Sequence, residues 1–127
     1  MKTGLAIIAI WTLILLSLLL APIPVETIGA HLGIEWWDKI AHFGLFGITG
    51  FISALGARFF GPIGARVFFG IIVGLLLTVC TEALQSYINA RNASLYDALS
   101  DVAGLSVGLI LYALFHYLRS HHYSSKS

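Results

Sequence analysis

Ionisable and hydrogen-bonding side chains fall near the ends of the apolar segments of this sequence. Asp38 and His42 are four residues apart, as are Asp97 and Asp101, so each pair lies on one face of a helix. A third segment ends in a carboxylate and an amide three residues apart. The candidate ligand-binding residues are Asp38, Lys39, His42, Glu82, Gln85, Arg91, Ser94, Asp97 and Asp101.

These residue types are suited to binding a polar headgroup. Arg91 and Lys39 can hold an anionic group, while the carboxylates and Gln85 can hold sugar or amine groups. Two alternatives stay open: an enzyme with His42 as general base, oriented by a carboxylate, or a purely structural cluster that ties helix ends together.

A metal centre is a weaker interpretation of the same residues. Its candidate ligands have suitable chemistry, but no HExxH motif or similar fixed spacing supports it, so no metal and no cofactor are predicted. A nucleophile such as Ser94 or Ser100 paired with His42 also lacks a local signature such as GxSxG around the serine. The candidate ligands would be His42, Glu82, Asp97 and Asp101.

The elements that position these residues are four apolar runs. Each is close to the ~20 residues that a helix needs to cross the membrane, and lipid requires backbone polar groups to be satisfied within the segment. The sequence therefore predicts an all-α integral membrane four-helix bundle, a single domain over residues 1–127. The predicted helices cover about residues 4–21, 40–58, 66–88 and 95–118.

The composition supports this class of protein. Hydrophobic residues make up 58% of the chain and charged residues only 10%, against roughly 25% in soluble domains. A formal net charge of +1 gives no basic surface for nucleic acid, so no nucleic-acid partner is expected. Cys80 lies within an apolar run and is predicted to be a small core residue.

The polar groups are expected at one level of the bundle. With a rise of about 1.5 Å per residue, Asp38 to Arg58 spans about 30 Å, which is close to the thickness of the hydrocarbon layer. Because buried polar groups at matched depth must find partners, we predict one hydrogen-bonded cluster of His42, Glu82 and Asp101.

Basic residues predict the orientation. Five of them lie at the end that holds the termini, against Lys39 and Arg91 at the other, so both termini are expected in the cytoplasm. The first helix is expected to be a retained anchor, because Ala21 followed by Pro22 is a poor cleavage site. Ser94 to Asp97 resembles a capping box, which places the start of the fourth helix near Leu95.

Glycines recur at helical spacing in three of the runs. Two of these pairs are GxxxG motifs, which let helix backbones approach closely in lipid. Packing within the bundle is the favoured interpretation, and a homo-oligomer through the same faces is the alternative. The glycines are Gly44, Gly47 and Gly50, then Gly70 and Gly74, then Gly104 and Gly108.

The order of the polar residues resembles the VanZ-like family. The resemblance covers the second to the fourth helix and rests on Asp38-Lys39-x-x-His42-Phe43-x-x-Phe46, Glu82-x-x-Gln85, and Arg91-x-x-Ser94-x-x-Asp97-x-x-x-Asp101-x-x-Gly104-x-x-x-Gly108. Asp101 stands where the family more commonly has Asn.

The resemblance implies a small multi-pass protein of the cell's inner (plasma) membrane. The family's namesake is associated with reduced susceptibility to teicoplanin, a lipophilic glycopeptide antibiotic. The expected partners are therefore membrane lipids or a lipid-linked cell-wall component, bound in an outward-facing polar pocket. The enzymatic alternative is a membrane-embedded transferase or hydrolase that acts on the same class of molecule.

Overall fold

The computed structural model describes residues 1–20, 33, 36–88 and 95–124. Its helices are α1 (Lys2–Leu20), α2 (Trp37–Gly56), α3 (Ile63–Ile88) and α4 (Leu95–Ser124). All four are long and apolar enough to cross a membrane. The predicted all-α fold with four helices is confirmed, and it is compatible with a multi-pass membrane protein.

The helix boundaries agree with the prediction at some ends and extend beyond it at others. Helix α4 begins at Leu95, as predicted, but it continues to Ser124 instead of ending near residue 118. The rings of Tyr117 and His121, one turn apart, lie 4.3 Å from each other and support the added turn. Helix α4 is therefore longer at its end than the predicted range of residues 95–118.

The connection between α2 and α3 is a tight turn. A short 3₁₀ helix, Ala57–Phe60, leads to Gly61, whose φ of 79° is a backbone conformation that side chains with a Cβ rarely adopt. The guanidinium of Arg66 donates from Nε to the Gly61 carbonyl at 2.9 Å and from another nitrogen to the Tyr112 hydroxyl at 3.2 Å. Arg66 thereby connects the turn to α4.

Helices α2 and α4 touch through their backbones. A Cβ added to Gly104 would overlap the carbonyl of Phe43, and one added to Gly108 would overlap the carbonyl of Gly47. In lipid, burial of apolar surface does not drive helices together, so they associate through close packing. Small residues permit this because they let two helix backbones approach each other. The glycine pair of α3 faces α4 too, against the side chains of Leu105 and Leu109.

These contacts confirm the predicted packing role within one chain for six of the seven glycines, but not for Gly44, because no described atom lies within 4 Å of the position of its Cβ. A homo-oligomer through the same faces stays a prediction.

Helix α1 is attached to α2 and α3 by contacts along its length. Near its start, Gly4 packs against the Gly56 backbone. In the middle, Trp11 Nε1 donates to Thr49 Oγ1 at 2.9 Å. At its end, the carbonyl of Leu19 accepts a hydrogen bond from the side-chain amide of Gln85 in α3.

The buried apolar core is small, and much of the apolar surface faces outward. Ala54, Leu105, Leu109 and Tyr112 form the core cluster. Cys80 is exposed, which corrects the prediction that it is a core residue. An apolar segment made the buried position the natural expectation, but in a membrane helix the outward face is apolar as well, because lipid covers it.

Candidate functional site

The polar residues meet at one end of the bundle. This end, called the site end, is formed by the start of α2, the end of α3 and the start of α4. It lies opposite the end where Gly4 contacts Gly56 and Arg66 contacts Tyr112. Three helices therefore contribute side chains to one place, as the depth estimate predicted.

A lysine connects two of these helices. Lys39 Nζ lies 2.5 Å from Asp38 Oδ2 and 2.7 Å from Asp97 Oδ1, an arrangement called here the lysine bridge. Asp38 and Lys39 belong to the first turn of α2 and Asp97 to the first turn of α4, where helix dipoles favour negative charge. The lysine's charge is therefore shared between carboxylates of α2 and α4.

A histidine and two carboxylates, the histidine cluster, lie one helical turn further in. His42 Nδ1 and Asp101 Oδ1 are 2.8 Å apart, and the two residues are 4% and 0% exposed. Glu82 of α3 completes the cluster, because one ligand-type atom from each of the three residues lies within 4.8 Å of the others. The structure thus brings the three residues together and shows a hydrogen bond between His42 and Asp101, while hydrogen bonding of Glu82 within the cluster stays a prediction.

The histidine cluster and the lysine bridge form one electrostatic unit. His42 interacts with Asp97 as well as with Asp101 and Glu82. Asp97 is one helical turn from Asp101 on α4, so it connects the two groups. In a low-dielectric surrounding such interactions are stronger than in water, and a change in one group alters the charge balance of the other.

The remaining predicted residues divide into two kinds. Gln85 is buried, and its Nε2 donates to the backbone carbonyl of Leu19 at 3.1 Å, so it satisfies the end of α1. Arg91 and Ser94 lie outside the described residues, and their assignment to the site stays a prediction. The capping box that includes Ser94 stays a prediction for the same reason.

Two buried threonines on α3 were missed by the sequence analysis. Thr78 and Thr81 are 6% and 0% exposed. Thr81 Oγ1 donates to the Leu77 carbonyl at 2.8 Å, within its own helix. With Glu82 and Gln85 they form a polar stripe at a spacing of three to four, which is a signal that the sequence contains.

The arrangement allows three kinds of chemistry. When Nδ1 of His42 carries the proton and donates it to Asp101, Nε2 has the free lone pair and can act as a base or a ligand. The three residues of the histidine cluster also have the atom types and the proximity to hold a metal ion. The lysine bridge offers carboxylates and an ammonium at the outer edge for a polar ligand.

Comparisons with protein-family models, curated proteins and solved structures found no match for this chain.

Proposed function

We propose that this chain is a multi-pass protein of the plasma membrane that binds the polar headgroup of a lipid or of a lipid-linked cell-wall component at the site end. In this proposal both termini are cytoplasmic and the site end faces outward. The distribution of basic residues supports the orientation. The resemblance to the VanZ-like family supports the envelope role and a link to teicoplanin-type resistance.

The observation that carries the proposal is the lysine bridge above the buried His42–Asp101 pair. A charged residue at the centre of a membrane helix costs about 2.5–3.5 kcal/mol on insertion scales, and ionisable residues within membrane helices commonly mark ligand or ion pathways. A purely structural connection between α2 and α4 is already provided by the glycine contacts. Ligand binding therefore accounts for the polar residues better than helix attachment does.

Arg91 and Lys39 were both expected to hold an anionic group, but the contacts of Lys39 change its proposed role. Lys39 is bound by Asp38 and Asp97, so it can hold an anion only by exchanging a carboxylate for it. We therefore assign the anionic part of the headgroup to Arg91 and assign hydroxyl or amine donors to the carboxylates of the lysine bridge.

Native mass spectrometry of the full chain in mild detergent tests the proposal. The wild-type chain is expected to retain lipid, and Arg91→Ala is expected to lose it without a lower melting temperature. Arg119→Ala is the matched control, because Arg119 is an exposed arginine on α4, far from the site end. Lipid retention by Arg91→Ala, or equal loss in both variants, would contradict the proposal.

A second candidate function is a membrane-embedded transferase or hydrolase. The hydrogen bond between His42 and Asp101 favours it, because a carboxylate that orients an imidazole is the arrangement of a general base. Turnover of a lipid-linked cell-wall precursor that is lost in His42→Ala and kept in His116→Ala would favour the enzyme over the binding protein. Absence of turnover in the wild-type chain would exclude that substrate class.

A further inference from the structure

The histidine cluster has the composition of a metal site. One nitrogen ligand and two carboxylates come from three different helices, and their ligand atoms lie within 4.8 Å of one another. A tetrahedral zinc ion with bonds of about 2.0–2.2 Å holds its ligand atoms about 3.4 Å apart. The three atoms are therefore within about 1.4 Å of the spacing that such an ion requires.

A buried oxygen atom in the cluster points to a ligand as well. Asp101 is 0% exposed, and its Oδ1 is the partner of His42. Its second oxygen, Oδ2, is buried and accepts no hydrogen bond from any residue that the structure describes. A buried polar atom in this state costs roughly 1–3 kcal/mol, more when it is charged, and a cation bound beside it would remove that cost.

The charge distribution at the site end favours a cation. Asp38 and Asp97 share the charge of Lys39, and the histidine cluster adds two further carboxylates beneath them. Carboxylates that interact at short range in a low-dielectric surrounding are stabilised by a cation among them.

We infer that His42, Glu82 and Asp101 form a binding site for a divalent transition-metal ion, with Zn²⁺ the best fit. An imidazole with two carboxylates suits zinc better than magnesium or calcium, which prefer oxygen ligands alone. Three protein ligands leave a fourth position open for water or for a ligand's phosphate oxygen. The inference goes beyond the proposed lipid binding and does not depend on it.

The metal site could not be predicted from a sequence motif, because such motifs consist of ligands at a fixed local spacing. In the structure no two of the three ligands share a helix, so no such spacing exists. The bundle, and not a motif, brings them together.

The test uses the full chain, purified without a polyhistidine tag, with Zn²⁺ alone as the probe. His121 and His122 lie together near the end of α4 and are exposed, so they offer an unrelated zinc site. The reference chain therefore carries His121→Ala and His122→Ala. Metal analysis after gel filtration should find one zinc per chain, and X-ray absorption should show nitrogen and oxygen ligands without sulfur.

Variants of the ligands locate the site. In the reference chain, Glu82→Gln and Asp101→Asn should each weaken zinc binding by about 100-fold or more. Losing a residue that only hydrogen-bonds to a metal ligand already lowers metal affinity by about 10–100-fold. Asp38→Asn is the matched control and should retain the metal, because Asp38 belongs to the lysine bridge and is not one of the three residues whose ligand-type atoms lie together.

The inference is overturned if the reference chain binds no zinc, if its zinc has sulfur ligands, or if Glu82→Gln and Asp101→Asn bind zinc as tightly as the reference does. The X-ray absorption result needs no variant of the site, so a variant that fails to fold does not prevent a decision. Lipid retention is a separate measurement, so failure of the lipid proposal would leave the zinc result unchanged.

Discussion

Gly108 of α4 lies directly against the backbone carbonyl of Gly47 in α2, so the two helices touch without any side chain between them. The same relationship recurs one turn earlier between Gly104 and the Phe43 carbonyl. We call this contact of Phe43 and Gly47 with Gly104 and Gly108 the seam. It leads to the site end, where both helices have their first turn. The separation of the two helices therefore sets the distance between His42 and Asp101.

The first prediction concerns this seam. Gly108→Ala should force α2 and α4 apart, because the added Cβ meets backbone that cannot rotate away, and should cost about 1–3 kcal/mol of stability. Thermal unfolding in detergent measures it. Gly44→Ala is the matched control: nothing lies within 4 Å of its Cβ, so it should be neutral or slightly stabilising. Equal melting temperatures for the two variants would contradict the packing role.

The second prediction concerns the lysine bridge. Lys39→Met should destabilise the fold because Asp38 and Asp97 then lose the ammonium group that each of them contacts. Adding Asp97→Asn should restore part of the loss, with a coupling energy of about 0.5–3 kcal/mol in a double-mutant cycle. Lys2→Met, at the exposed start of α1, is the control. A coupling energy near zero would mean that the bridge contributes nothing to stability.

The third prediction concerns the His42–Asp101 pair. His42→Ala removes the partner of a wholly buried carboxylate and should cost about 3–5 kcal/mol, as breaking a buried pair does. His116→Ala, on the same bundle but away from the site end, should cost much less. Chemical unfolding in detergent compares them, and similar losses in both variants would show that the pair is not a stabilising contact.

The fourth prediction is the orientation of the bundle. In a Cys80→Ser background, which removes the exposed native thiol, a cysteine at Ser125 should resist an impermeant reagent in intact cells. A cysteine at Glu35 should react. The physical reason is the excess of basic residues at the end that holds the termini. The reverse labelling pattern would place the site end in the cytoplasm.

Much of the fold could be predicted from sequence because lipid imposes simple requirements. A span must be helical and of sufficient length, so the number of helices followed directly. The start of α4 at Leu95 followed from the capping-box pattern of Ser94 to Asp97. The continuation of α4 to Ser124 did not, because a polar helix outside lipid depends on contacts such as that of Tyr117 with His121. The outward position of Cys80 depends on helix rotation, which an all-apolar segment does not encode.

The sequence predicts the level of the site residues along the bundle, but it does not predict which side chain contacts which. The helical rise placed His42, Glu82 and Asp101 at one level, and the structure brings them together. Two contacts depend on how the helices are rotated about their axes. One is the ion pair of Lys39 with Asp97, and the other is the hydrogen bond from Gln85 to the carbonyl of Leu19. That rotation is set by the glycine contacts between helices and is not visible in any one segment.

The partners His42 and Asp101 are 59 residues apart in the chain. At about 5–20 residues per second, a ribosome needs roughly 3–12 s to make the second after the first. During that interval α2 exists without the α4 backbone that it contacts and without the carboxylate that pairs with its imidazole. A chain cut short before α4 would lack the His42–Asp101 pair as well as the seam, because both depend on the same late-made helix.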